Sequence, residues 1–162
     1  MTQRPNDDRA LRSAPRRAGA DPAPSSQPLS KREIEGVAAL RYELRRFSRK
    51  TEIEARRIGI TPQQYFLLLA IKGFPGREAA NITELAERLQ VRHNAVIGLV
   101  NRAVERGLVR RTPNGPGEDR RVVQVRLTAE GDAALQRLAH VLRDERIRVT
   151  EAAQAMNDAQ EV

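Results

Sequence analysis

Arginine and asparagine side chains are concentrated in one segment of this 162-residue chain. Between residues 88 and 126 there are nine arginines against three acidic residues, which gives +6 of the formal net charge of +8. Guanidinium groups bind phosphate and the acceptor edge of guanine, and an asparagine carboxamide can pair with adenine. The segment therefore has the side-chain chemistry of nucleic-acid recognition, and the pI near 11.0 favours an anionic partner.

Two predicted helices and a predicted β-hairpin would position these side chains. Asn81 is expected to cap a helix that runs to about residue 90, with Glu84 as its capping-box partner. A second helix is expected near residues 92–106, and Gly107 is expected to end it in a left-handed conformation. Strands are predicted at 108–112 and 122–127, around a loop rich in glycine and proline. A helix pair followed by a basic hairpin is typical of a winged helix-turn-helix.

The second helix of such a motif places its first residues in the major groove of DNA. On this helix the predicted DNA-contacting residues are Arg92, His93, Asn94, Ala95, Gly98, Asn101 and Arg102. In the hairpin loop, Asp119 would hold one of Arg120 and Arg121 while the other arginine enters the narrow minor groove of A·T-rich DNA. Two alternatives stay open: a winged helix used only for protein contacts, and a non-specific, nucleoid-type DNA-binding protein.

The flanking segments are predicted to be a tail and dimerisation helices. Residues 1–30 hold five prolines and almost no large apolar side chain, so we expect a disordered tail. Residues 31–60 are expected to form a first dimerisation helix, whose apolar residues recur every three or four positions. Residues 61–127 would form the DNA-binding lobe, beginning at Thr61 as N-cap. Residues 128–162 would form C-terminal dimerisation helices: one long helix to about residue 149 and a weak short one after it.

Five short motifs, in this order and spacing, resemble the MarR (multiple antibiotic resistance regulator) family. They are Leu85-Ala86-Glu87-Arg88-Leu89, Gly98-Leu99-Val100-Asn101-Arg102, Arg106-Gly107-Leu108-Val109, Asp119-Arg120-Arg121 and Leu127-Thr128-x-x-Gly131. The resemblance covers about residues 33–150. It implies a mainly α fold with a small β-hairpin wing (α+β), in which an obligate homodimer is joined by its first and last helices. It also implies binding to pseudo-palindromic double-stranded DNA operators, usually as a repressor.

Two positions depart from the family pattern. Family members often carry Asp where Asn101 stands, and a polar or basic side chain where Gly98 stands. We therefore expect the base contacts of this turn to shift toward His93 and Asn94.

The family resemblance also implies release from DNA by a small phenolic or lipophilic ligand. Four of the five aromatic residues, Tyr42, Phe47, Tyr65 and Phe66, lie on the first two predicted helices and could line a pocket for a flat apolar ligand. The alternative is that these aromatics are simply core, because aromatic residues at helical spacing usually are.

Other classes of function find little support in the sequence. There is no cysteine, there are only two histidines, which lie far apart in the sequence, and no phosphate-binding or nucleophile motif is present. We therefore expect no enzymatic activity, no cofactor and no metal. No run of about 18 apolar residues and no secretory signal is present, so we expect a cytoplasmic protein without a membrane partner.

Overall fold

A computed structural model describes residues 28–113 and 122–159. In these ranges six helices and one β-hairpin follow each other along the chain. They are α1 (Lys31–Arg57), α2 (Pro62–Lys72), α3 (Ile82–Leu89), α4 (His93–Glu105), β1 (Val109–Pro113), β2 (Val123–Leu127), α5 (Ala129–Val141) and α6 (Arg143–Asp158). The prediction of a mainly helical winged helix-turn-helix fold with a β-hairpin is confirmed.

Short-range side-chain chemistry sets where the helices begin. Thr61 and Asn81 cap α2 and α3 as predicted, each in a complete capping box with the residue three positions later. Ser30 does the same for α1, with Glu33 as its partner. Gly107 has a φ of 68°, the left-handed conformation that was predicted after α4. The helix boundaries are therefore mostly local properties of the sequence.

The hairpin is antiparallel and is extended by one pair of residues from another part of the chain. Val109 pairs with Leu127, and Ala80, which precedes α3, pairs with Val125 through two backbone hydrogen bonds. Alternation along residues 122–127 of the sequence would place Val123, Val125 and Leu127 inward and Gln124 outward. This expectation is partly wrong, because Gln124 is buried and Val123 is 43% exposed. Val123 stands at the end of β2 nearest the hairpin loop, whereas Val125 lies beside Ala80 and is buried in the lobe.

The hydrophobic core lies within the segment from α2 to α5, together with the last turn of α1. All four helices and both strands of that segment contribute to it. Its fully buried members include Tyr65, Leu67, Leu68, Ile71, Leu85, Val96, Val100, Ala103, Val125 and Leu142. The spacing of apolar residues in α4 predicts that Val104 faces inward, but it is 36% exposed because it lies toward the edge of that helix's buried stripe.

The C-terminal helices differ from the prediction. The predicted single helix to residue 149 breaks at Leu142, whose φ and ψ of −89° and 8° lie outside the helical range. The predicted weak helix after residue 150 is instead the second half of α6, which ends at Asp158. Packing explains its length, because α6 lies along α1 and Gly36 of α1 makes close contact with Met156. None of the helices within the described ranges is long and apolar enough to cross a membrane.

Candidate nucleic-acid interface

The N-terminal turn of α4 is the most open part of the helix pair. Arg92 is its N-cap residue, and all four positions from Arg92 to Ala95 are exposed. The Arg92 side chain makes no capping hydrogen bond. Backbone N–H groups in the first turn of a helix attract phosphate oxygens, and the exposed side chains beside them can reach base edges. The structure therefore brings Arg92, His93, Asn94 and Ala95 together on one accessible surface.

The opposite side of α4 packs against the core of the lobe. Val96, Val100 and Ala103 are fully buried, and Leu99 is 8% exposed. Leu85 on α3 is buried in the same cluster. Because interior packing leaves little room for side-chain movement, α4 presents its outer residues from a rigid base.

Asn101 is exposed on the outer face of α4, where it contacts the hairpin. The carboxamide oxygen of Asn101 accepts a hydrogen bond from the Arg111 guanidinium of β1. A hydrogen bond to a charged group is stronger than one between neutral groups. Asn101 thus joins the predicted recognition helix to the wing, and part of its hydrogen-bonding capacity is already used within the chain.

Gly98 and Arg102 act as a pair on the next turn of α4. The Arg102 guanidinium occupies the space beside Gly98. A Cβ atom added at Gly98 would lie 3.3 Å from Nη1 of Arg102. Residues four apart on a helix are neighbours on its surface, so the missing side chain of Gly98 makes this orientation available. The glycine that departs from the family pattern therefore has a specific consequence for the adjacent arginine.

The predicted basic segment does not form one uniform surface. Arg88 lies over the Phe74 ring at 4.4 Å from its centroid, and Arg106 donates to the carbonyl oxygen of Gly59 in the α1–α2 turn. These two arginines help to hold loops in place. A count of charges cannot separate them from the others, because both contacts link residues distant in sequence.

The predicted wing-tip residues Asp119, Arg120 and Arg121 lie outside the described residues. The last residue of β1, Pro113, pairs with the first residue of β2, Val123, so the two strands are still paired at the point where the wing tip begins. The wing-tip contact therefore stays a prediction.

The four aromatic residues of the predicted ligand pocket have different environments. Tyr65 is buried in the core, where burial raises the pKa of its phenol. Phe47 is half-buried against the same core. Tyr42 is 61% exposed on α1 with Arg46 over its ring, and Phe66 is 39% exposed beside Leu69 and Leu89. Tyr65 and Phe66 are in ring contact, with centroids 5.8 Å apart. Within one chain, two of these aromatic side chains are therefore exposed and the other two pack toward the core.

Comparison with known sequences identifies the central segment. Residues 58–121 match the sequence model of the MarR family. The HTH-type transcriptional repressor MdtR of Bacillus subtilis (strain 168) is 38% identical over 74 residues, which are 46% of this chain and 44% of MdtR. The match thus spans less than half the length of that curated relative.

Solved structures extend the similarity to most of the chain. Wild-type apo MarR from E. coli is 25% identical with a TM-score of 0.58, covering 71% of this chain and 82% of that one. A cysteine-to-serine mutant of the same protein, crystallised with operator DNA, is 25% identical with a TM-score of 0.56, covering 73% and 81%. YusO from Bacillus subtilis, at 24% identity and a TM-score of 0.57, covers 82% and 96% and shows the shared fold. Residues 58–121 thus match the MarR family model, and the fold of most of the chain is similar to that of MarR.

Proposed function

We propose that this protein is a transcriptional repressor that binds a pseudo-palindromic DNA operator as a homodimer. The observation that carries the proposal is the open N-terminal turn of α4, with Arg92 to Asn94 exposed, on a rigid lobe beside a basic hairpin. The related MarR from E. coli has been crystallised with operator DNA, and the related MdtR is described as a repressor. Both support assigning the same activity to this chain.

The terminal helices support the homodimer. Of the 27 residues of α1 only Thr51, Glu54 and Ala55 are buried, and α6 has no buried residue. Ile34, Val37 and Leu44 on α1, at spacings of three and seven, are 50%, 42% and 37% exposed, and Ile147 on α6 is 47% exposed. An apolar surface of this kind is typical of an interface. We expect the dimer to bury about 2,000 Å² or more.

Binding should respond steeply to salt. If the dimer neutralises about six to ten phosphates, its affinity should fall roughly 10³- to 10⁵-fold between 50 and 200 mM salt. Fluorescence anisotropy with labelled duplexes would measure this slope. A winged helix used only for protein contacts would show no salt-dependent DNA affinity.

Selection from random duplexes tests sequence specificity. A two-fold dimer should recover a pseudo-palindrome with half-site centres about one helical turn apart, because both α4 helices must enter the same groove. Equal recovery of all sequences would instead identify a non-specific DNA-binding protein.

Asn94 and Asn101 form a matched pair for locating the base contact. Asn94→Ala should cost about 1–3 kcal/mol of binding free energy and relax the preference at one base pair per half-site. Asn101→Ala should weaken binding to all sequences more evenly, because it removes the contact with Arg111. Selection repeated with both variants would measure this difference. The assignment fails if Asn101→Ala alone relaxes one base pair.

The predicted wing contact has its own test. Arg121→Ala should weaken binding mainly where the flanking DNA is A·T-rich, since groove width and potential are recognised there. Equal weakening on all flanks would identify Arg121 as a plain phosphate contact.

We extend the proposal to release by a small aromatic ligand, with Tyr42 as the contributing residue. Tyr42 is exposed on α1, where a partner subunit could complete a site around it, whereas Tyr65 is a core residue. Aromatic carboxylates and phenols should weaken the DNA complex, and Tyr42→Ala should remove this response without lowering thermal stability. Tyr65→Ala, the control, should lower stability. If none of these compounds weakens the complex, the ligand part of the proposal is wrong.

A further inference from the structure

Arg110 of β1 and Arg126 of β2 stand directly opposite each other in the hairpin. Side chains alternate between the two faces of a strand, so both arginines project from the face opposite to that of Arg111. Arg111 is the residue that contacts α4 through Asn101. The opposed arginines therefore face away from the predicted DNA surface.

Among the described residues, no ion pair includes either guanidinium. Like charges directly opposite each other on neighbouring strands destabilise the pairing. Glu78 and Asp132 lie beside the two arginines, and both share Lys72, whose Nζ lies 2.9 Å from Glu78 and 3.2 Å from Asp132. The three cations at this place outnumber the two carboxylates.

A cavity of about 260 Å³ lies between these groups, and both arginines line it. The start of α5 closes one side through Thr128 and Ala129. The N-terminal end of a helix carries partial positive charge, which adds to the attraction for an anion. A guanidinium presents a planar fork of donors that matches the oxygens of phosphate.

We propose that Arg110 and Arg126 bind the phosphate group of a small molecule at the base of the wing. The anion would balance the excess of positive charge among the described residues that line the cavity, and it would accept hydrogen bonds from both arginines. This site is separate from the proposed DNA surface, and its test does not depend on DNA binding.

Titration of the full-length protein with inorganic phosphate tests the site directly. Arginine Nε–Hε NMR signals should shift and saturate for Arg110 and Arg126, and sodium chloride at matched ionic strength should not reproduce the effect. Arg126→Gln should weaken phosphate binding by about tenfold or more, since a hydrogen bond to a charged group is lost. Arg56→Gln is the matched control, because Arg56 is exposed on α1 and forms no ion pair with the described residues.

Thermal unfolding gives a second measurement that does not need assigned signals. Phosphate should raise the melting temperature of the wild type and of Arg56→Gln, but much less that of Arg126→Gln. Without phosphate, Arg126→Gln should unfold at an equal or higher temperature than the wild type, because like-charge repulsion is removed.

Two results would overturn the proposal. An equal response to chloride and phosphate at matched ionic strength would mean general screening of charge. If phosphate shows no saturable binding and Arg110→Gln and Arg126→Gln instead lower DNA affinity, the pair contacts the DNA backbone. Unchanged DNA affinity with lost phosphate binding supports the proposal whether or not the repressor assignment holds.

Discussion

The lobe formed by α2 to α5 and the terminal helices α1 and α6 differ in how completely they bury their apolar residues. In the lobe, α2 alone buries Tyr65, Leu67, Leu68 and Ile71 almost completely. In the terminal helices, α6 buries no residue, and α1 buries only three residues, all in its last two turns. The lobe thus encloses its core within one chain, whereas the outer helices leave apolar side chains that one chain does not cover.

This difference indicates two sources of stability in the same protein. The free energy of folding the lobe should depend mainly on contacts within the chain, which protein concentration does not change. In the proposed homodimer, the free energy that orders the outer part of α1 and α6 would depend on the second subunit, and therefore on concentration. Substitutions in the two regions should separate these contributions.

The largest effect is expected from Leu68→Ala in the lobe. Leu68 is fully buried in α2, so its removal should lower the free energy of unfolding by about 2–5 kcal/mol. Urea denaturation at several protein concentrations would measure this loss, which should be similar at each. A loss that appears only at low concentration would mean that the lobe also depends on the partner.

Gly131→Ala should have the next largest effect, where α5 joins the lobe. A Cβ at this position would lie 1.9 Å from the Leu108 carbonyl oxygen, which belongs to the backbone and cannot easily move. We expect a loss of roughly 1–3 kcal/mol, larger than the gain in helix propensity. Thermal unfolding measures it, and an alanine that stabilises the protein would show that this junction is loosely packed.

A smaller effect is expected from Leu44→Ala on α1. Leu44 is 37% exposed in one chain, so truncating its side chain should change the free energy of unfolding of the lobe only slightly. It should weaken the dimer by about 1–2 kcal/mol per subunit if a partner covers this side chain. Sedimentation equilibrium gives the dimer dissociation constant, with Leu69→Ala as a similarly exposed control outside the terminal helices. Equal dissociation constants for both variants would exclude this face from the interface.

Gly98→Ala should have the smallest effect on stability, and unlike the other three substitutions it should stabilise the protein. The added methyl group meets only the end of the Arg102 side chain, which can move aside. Higher helix propensity should stabilise the protein by about 0.5–1 kcal/mol. The displaced guanidinium should also alter base preference in a selection experiment. Unchanged preference would show that Arg102 contacts only the DNA backbone.

The parts of the fold that were predictable depend on residues close in sequence. The capping boxes at Thr61 and Asn81, the left-handed Gly107 and the buried stripe of α4 all follow from neighbours within one or two helical turns. The exposed positions at the start of α4 follow from the same periodicity. The local chemistry is strong enough here that tertiary packing does not override it.

The parts that were not predictable depend on contacts between distant segments. The break at Leu142 and the full length of α6 arise because α6 turns back along α1. The roles of Arg88, Arg106 and Arg111 depend on Phe74, Gly59 and Asn101, each at least ten residues away. Charge and spacing alone do not separate these three arginines from the others in the segment.

Gly131 illustrates the difference between what the local sequence determines and what tertiary packing determines. The sequence by itself determined that Thr128 begins a helix, that a hairpin precedes it, and that the central segment carries most of the positive charge. Only the tertiary structure decided why the last residue of the Leu127-Thr128-x-x-Gly131 motif is glycine: the Leu108 carbonyl oxygen occupies the space of a side chain there. Helix capping and charge are properties of a short stretch of chain, whereas the space available at a residue is set by whatever segment folds against it.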